Sequence, residues 1–187
     1  MRADFKVVLD ACVLAPASLC ELLLRLAESP RLYSPRWGPE ILDEVHRTQV
    51  GKLGFPKELA DYWRQEVDQH FSEALVTNAE PLECACETDE KDRHVLAVAI
   101  KCGAEVIVTA NGKHFPAKAL TPWNVKARHP SDFLITLFSM ESGVVVSKIT
   151  GIAADRGITP QEYLTKLSKV VPAFAAHVAN ELNWELG

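Results

Sequence analysis

Four oxygen-bearing side chains, Asp10, Glu44, Asp92 and Asn111, lie far apart along the chain, yet an α/β fold can bring them to one crevice. Asp10 ends the short apolar run Phe5-Lys6-Val7-Val8-Leu9, and Asn111 lies just past a second run, Glu105-Val106-Ile107-Val108-Thr109. In open α/β sheets, ligands gather beyond the carboxyl ends of such strands. Asp92 opens the helical segment leading into the second strand, and Glu44 sits on an earlier helical one. Their oxygens suit a hard cation, magnesium or manganese, which binds through one or two carboxylates and keeps several waters. Such a cation can activate water, orient a phosphodiester and stabilise the leaving oxygen.

Each residue also has a plainer reading. A strand-end Asp such as Asp10 often caps the turn that follows it. Asp89 and Asp92 suit the first turn of a helix, as cap and N3 acid. Glu44 can be an ordinary surface acid, and Asp43 with Arg47 makes an i,i+4 pair. Six acids lie between Glu80 and Asp92 against the single base Lys91, which fits a solvated acidic loop. Asp89, Thr109 and His114 are auxiliary candidates: a further acid, a hydroxyl able to bond a site carboxylate, and a ring able to meet phosphate or manganese. The plain alternative for His114 is an exposed loop residue, and for Thr109 ordinary strand propensity. Lys113, Arg93 and Lys118 can meet phosphates, although exposed bases are common. Cys84-Ala85-Cys86 does not reproduce zinc spacing and reads as small core residues.

The elements that must position these groups alternate. After the strand ending at Asp10, Leu19, Leu22, Leu23, Leu26 and Ala27 recur at helical spacing up to Pro30. Leu32–Ser34 reads as a second strand, Pro39 to Val50 as a helix, and Pro56 begins another with the stripe Leu59, Trp63, Val67, Phe71 and Ala74. A brief strand is expected at Leu75–Val76. The segment from Asp92 to Cys102 is a helix stopped by Gly103. Strands at 105–109 and 124–127 follow, then a helix from Ser131. This β-α-β order predicts a three-layer α/β/α fold around a mostly parallel sheet, with helices beyond it. Thr159-Pro160-Gln161-Glu162 is a capping box, Pro172 starts a last helix, and Val144–Val146 leans to helix. The expected division is an α/β domain over 1–138 and a helical extension over 139–187.

With 187 residues, 20 Lys+Arg and 25 Asp+Glu, the formal charge of -5 excludes a polycationic coat for nucleic acid. No run approaches the about 20 apolar residues that cross a bilayer, so no membrane role is expected. The absence of a signal-peptide pattern and five cysteines without framework spacing point to the cytoplasm.

Taken in order, several segments resemble the PIN domain family of metal-dependent ribonucleases, which includes the VapC toxins. Val8-Leu9-Asp10-Ala11-Cys12-Val13-Leu14 resembles its strand-end "LDxxVL", and Ile41-Leu42-Asp43-Glu44-Val45 its "ilxEv" helix. Asp92-Arg93-His94-Val95-Leu96-Ala97-Val98-Ala99 is similar to "DxxxlAxA" and to the "DRHVLAAA" form of one branch. Val106-Ile107-Val108-Thr109 with Asn111 and Phe115-Pro116 is similar to that branch's "ivTxN…FP", and Pro130 with Asp132-Phe133-Leu134 to its "PdxFL". The resemblance implies that Asp10, Glu44 and Asp92 hold magnesium or manganese for RNA hydrolysis, with Asn111 assisting where many relatives have Asp. His114 stands where that branch commonly has a further acid. An antitoxin protein and a homodimer are implied as partners. A different class remains open: a weak or inactive PIN-fold module that binds RNA or a partner. A haloacid-dehalogenase-type phosphohydrolase would want a second Asp two residues after Asp10, where this chain has Cys12.

Overall fold

A computed structural model describes residues 5–187. Its first half runs β1 (Lys6–Leu9), α1 (Ala11–Leu14), α2 (Ala17–Ala27), β2 (Ser34–Arg36), α3 (Pro39–Gly51) and α4 (Lys57–His70). Short 3-10 turns, including Glu80–Ala85 and Glu90–Asp92, lead to α5 (Arg93–Cys102), β3 (Val106–Val108), α6 (Ala117–Leu120) and β4 (Lys126–Arg128). The order closes with α7 (Pro130–Met140), α8 (Ser142–Asp155), α9 (Pro160–Ser168) and α10 (Pro172–Leu182).

One compact unit comprises Phe5–Ala15 and Ser34–Arg128. Its four strands are all parallel, in the order β2-β1-β3-β4. Leu9 lies opposite Val108, and Val8 opposite both Arg36 and Ile107. Val7, Val8 and Leu9 are fully buried, which explains why β1 reads as an unbroken apolar run rather than an alternating one. The chain leaves β1 for β2 on one side, then places β3 on the other. The carboxyl ends of β1 and β3 therefore flank a topological switch point, the place where open α/β sheets bind ligands. α5 packs on β1 and β3, buries Val95, Leu96 and Ala99, and ends at Gly103, whose φ of 66° supplies the left-handed stop. Gly38 precedes α3; a Cβ there would stand 2.8 Å from Val98 Cγ2, so glycine lets α3 approach α5.

Three local expectations shift. The second strand is Ser34–Arg36, not Leu32–Ser34, because the register to β1 begins at Ser34. Leu75 contributes a single parallel bridge to Trp37 rather than a strand. On α4, Ala60 and Val67 are buried while Leu59 is 50% exposed, so Leu59 is not part of the inner stripe. α4 leans on α3, and one helix neighbour covers a narrower face than a core would.

The second compact unit comprises Pro16–Tyr33 and His129–Gly187 among the described residues, so residue 138 falls within it, near the end of α7. α2 packs on α8 and α9, and α10 packs on α7 and α9. Leu19, Leu22, Leu23 and Leu26 of α2 are buried, as are Ile149, Leu164, Leu167 and Phe174. The hydroxyl of Tyr163 donates to Ser18 O at 2.7 Å, and that of Tyr33 to Leu23 O at 2.8 Å. Thr159 and Glu162 form the expected capping box, and Val144–Val146 lies in α8. The parallel sheet with flanking helices and added C-terminal helices is the PIN-like three-layer α/β/α class expected from the sequence.

Candidate functional site

At the end of β1, the Asp10 backbone N–H still donates to Val108 O at 3.1 Å, so the ladder between β1 and β3 runs directly into the site. Asp10 occupies the cap position of α1, yet its side chain makes no cap hydrogen bond. Instead Oδ2 accepts from Thr109 Oγ1 at 2.6 Å and from Cys12 Sγ at 3.1 Å. The Thr109 hydroxyl in turn accepts from Asn111 N at 3.0 Å, and Cys12 Sγ accepts from Ala110 N at 3.3 Å. Burial, then the Asp10 charge, pushes the Cys12 thiol up to about 12, so it stays protonated and donates.

Asp92 likewise stands at the cap of α5 without capping it. Its Oδ2 pairs with His114 Nδ1 at 3.0 Å. Capping falls to Asp89, which accepts from Lys91 N at 3.2 Å over the short turn before the helix. Glu44 Oε1 lies 3.7 Å from His94 Nε2 and 3.8 Å from Arg47. Burial raises the Glu44 carboxyl above its ordinary range; the charges of Asp10 and Asp92 add to this, while His94 and Arg47 oppose it. Burial also raises Asp92, reinforced by Asp10 and Asp89 and opposed by His114. Asp10, Glu44 and Asp92 are thus gathered near enough to repel one another.

Asn111 joins them through its backbone N–H, with its side chain exposed. His114 is not a free loop residue: its side chain is 34% exposed and bonded to Asp92. The expected pair of Asp43 with Arg47 does not form. Asp43 reaches Arg64 at 3.0 Å, and Arg47 turns to Glu44 instead. Lys113 and Lys118 are exposed, whereas the Nε of Arg93 is buried without a hydrogen bond. Cys86 is buried as expected of a small core residue, but Cys84 is exposed. Two neighbours of the acids escaped the sequence reading, Cys12 and His94. Their one local signal was position, each two residues after a candidate acid.

The donor chemistry fits a divalent cation. Asp10 is only 4% exposed, its two side-chain donors are neutral, and no ion pair reaches it among the described residues. A buried carboxylate of this kind lacks its compensating charge. Among the described residues, no three His, Cys, Asp or Glu side chains stand close enough to enclose an ion; Asp92 pairs with His114 instead.

A parallel sheet whose switch point carries Asp10, with Glu44 and Asp92 near enough to feel its charge, defines an open α/β protein. The PIN domain model matches residues 4–113, a span holding Asp10, Glu44, Asp92 and Asn111 and ending one residue before His114. The chain belongs to the PIN domain family. It is 38% identical over 133 residues to "Putative ribonuclease VapC50" of Mycobacterium tuberculosis (strain ATCC 25618 / H37Rv), covering 70% of this chain and 77% of that protein. No solved structure matches.

Proposed function

We propose that this protein is a divalent-metal-dependent endoribonuclease, the toxin of a toxin–antitoxin pair, acting in the cytoplasm as a homodimer. The observation that carries the reading is the buried Asp10 carboxylate, whose charge bears on Glu44 and Asp92 and which has no cationic partner among the described residues. Family membership and the ribonuclease name of the relative support it. Asp10, Glu44 and Asp92 would hold magnesium or manganese, and Asn111 would assist as a neutral oxygen donor. When bound, the cation supplies Lewis acidity toward the phosphodiester and lowers the pKa of water. Thr109 holds Asp10 in place, and His114 occupies Asp92 until that carboxylate is needed. Lys113 and Lys118 offer exposed charge to the RNA backbone.

The test is cleavage of RNA in manganese by the wild type, Asp10→Asn and Asp92→Asn. Each substitution is expected to lower the rate by about a hundredfold or more. Unchanged rates would show the assigned site to be wrong. A second reading, a binding module without turnover, is favoured by one observation: His114 pairs with Asp92 where a relative's further acid would stand. It predicts neither cleavage nor manganese binding that Asp10→Asn abolishes, which calorimetry measures.

A further inference from the structure

Every proton in the network around Asp10 is committed, and the commitments are directional. Thr109 has one hydroxyl proton, and it goes to Asp10 Oδ2; its oxygen is then left to accept from Asn111 N. Cys12 repeats the pattern in sulfur, with its proton to the same Oδ2 and its lone pair to Ala110 N. Two side chains, one on α1 and one at the end of β3, therefore bridge a single carboxylate oxygen to successive amides of one turn. The two bridging groups themselves touch at 3.5 Å. Oδ1 accepts no hydrogen bond among the described residues.

We propose that Cys12 is a positioning residue: its thiol, with the Thr109 hydroxyl, commits Oδ2 of Asp10 to the protein and reserves Oδ1 for a ligand. This rests on the reading of Asp10 as a cation-holding residue. A cysteine that merely fills space would serve as well as any apolar group of its size. A cysteine that positions needs both an S–H and an accepting lone pair, and serine has their counterparts whereas valine has neither.

The experiment compares Cys12→Val and Cys12→Ser with the wild type, using manganese alone in calorimetry and RNA cleavage at saturating manganese. Cys12→Val is expected to lower kcat about tenfold with KM for RNA unchanged, and to weaken manganese binding by a similar factor. Cys12→Ser should stay within about threefold of the wild type in both. In the metal-free protein, amide exchange at Ala110 should quicken in Cys12→Val and not in Cys12→Ser. Wild-type kcat and manganese affinity in Cys12→Val would overturn the proposal, and so would a Cys12→Ser as impaired as Cys12→Val. Where Cys12→Val melts too low to assay, Cys12→Ala takes its place, with the same outcomes. Asp10→Asn separates the two levels. If it leaves manganese binding and cleavage unchanged, the reading of the site fails. If it abolishes both while Cys12→Val matches the wild type, only the role of Cys12 fails.

Discussion

At the start of α5, the residue best placed to cap the helix does not cap it. Asp89 takes the backbone N–H of Lys91, while Asp92 is held by His114 and lies within the field of Asp10. Both Asp92 and Glu44 are raised above the ordinary carboxylate range, chiefly by burial. In the metal-free protein the folded state therefore binds protons more readily than the unfolded chain. That contribution to stability is fully present below the ordinary carboxylate range and is lost as pH rises through the raised values. Asp92→Asn and Glu44→Gln are thus expected to raise the melting temperature in chelator at pH 7, and to change it little near about pH 4. A lower melting temperature for both variants at pH 7 would contradict this. Asp10 and Asp92 were legible because strand ends and helix starts are local features of sequence, whereas Glu44 lies inside α3 and was marked chiefly by the family resemblance. Of their partners, Thr109 was legible as a hydroxyl able to bond a site carboxylate, and it meets Asp10 across 99 residues; the pairing of His114 with Asp92 across 22 has no local pattern behind it.

Elements were legible wherever their punctuation was chemical. Gly103 at φ 66° and the Thr159 capping box end and begin helices where the sequence placed them. Replacing Gly103 with Ala forces a Cβ into the left-handed region and should cost about 1 kcal/mol or more in urea unfolding. Thr159→Ala, which removes a cap, should cost about 1 kcal/mol. Gly38 is a different case, since its φ is ordinary and its constraint is a neighbour. The Val98 methyl stands 2.8 Å from any added Cβ, so Gly38→Ala should overpack the joint of α3 and α5 and cost about 1–3 kcal/mol. Nothing in the sequence around Gly38 announces that contact. The shifted β2 and the exposed Leu59 missed for the same reason. Strand register and the breadth of a buried helical face are set by the element alongside, not by the residues within.

At the scale of the molecule, the units are interleaved along the chain. It passes from one to the other after Ala15, returns after Tyr33, and leaves again after Arg128. A chain ending at residue 138 would keep α2 but lose α8 and α9, the helices on which α2 packs. Such a truncation is expected to expose Leu19, Leu22, Leu23 and Leu26, to bind hydrophobic dyes and to lose cooperative melting; a soluble, cooperatively melting fragment would contradict this. The strand order carries a further consequence, for biosynthesis. Asp10 and Glu44 are made early, but β1 cannot pair with β3, nor Asp10 receive the Thr109 hydroxyl, until more than half the chain has left the ribosome. The site around Asp10 is thus a late product of synthesis, complete only once β3 has joined β1.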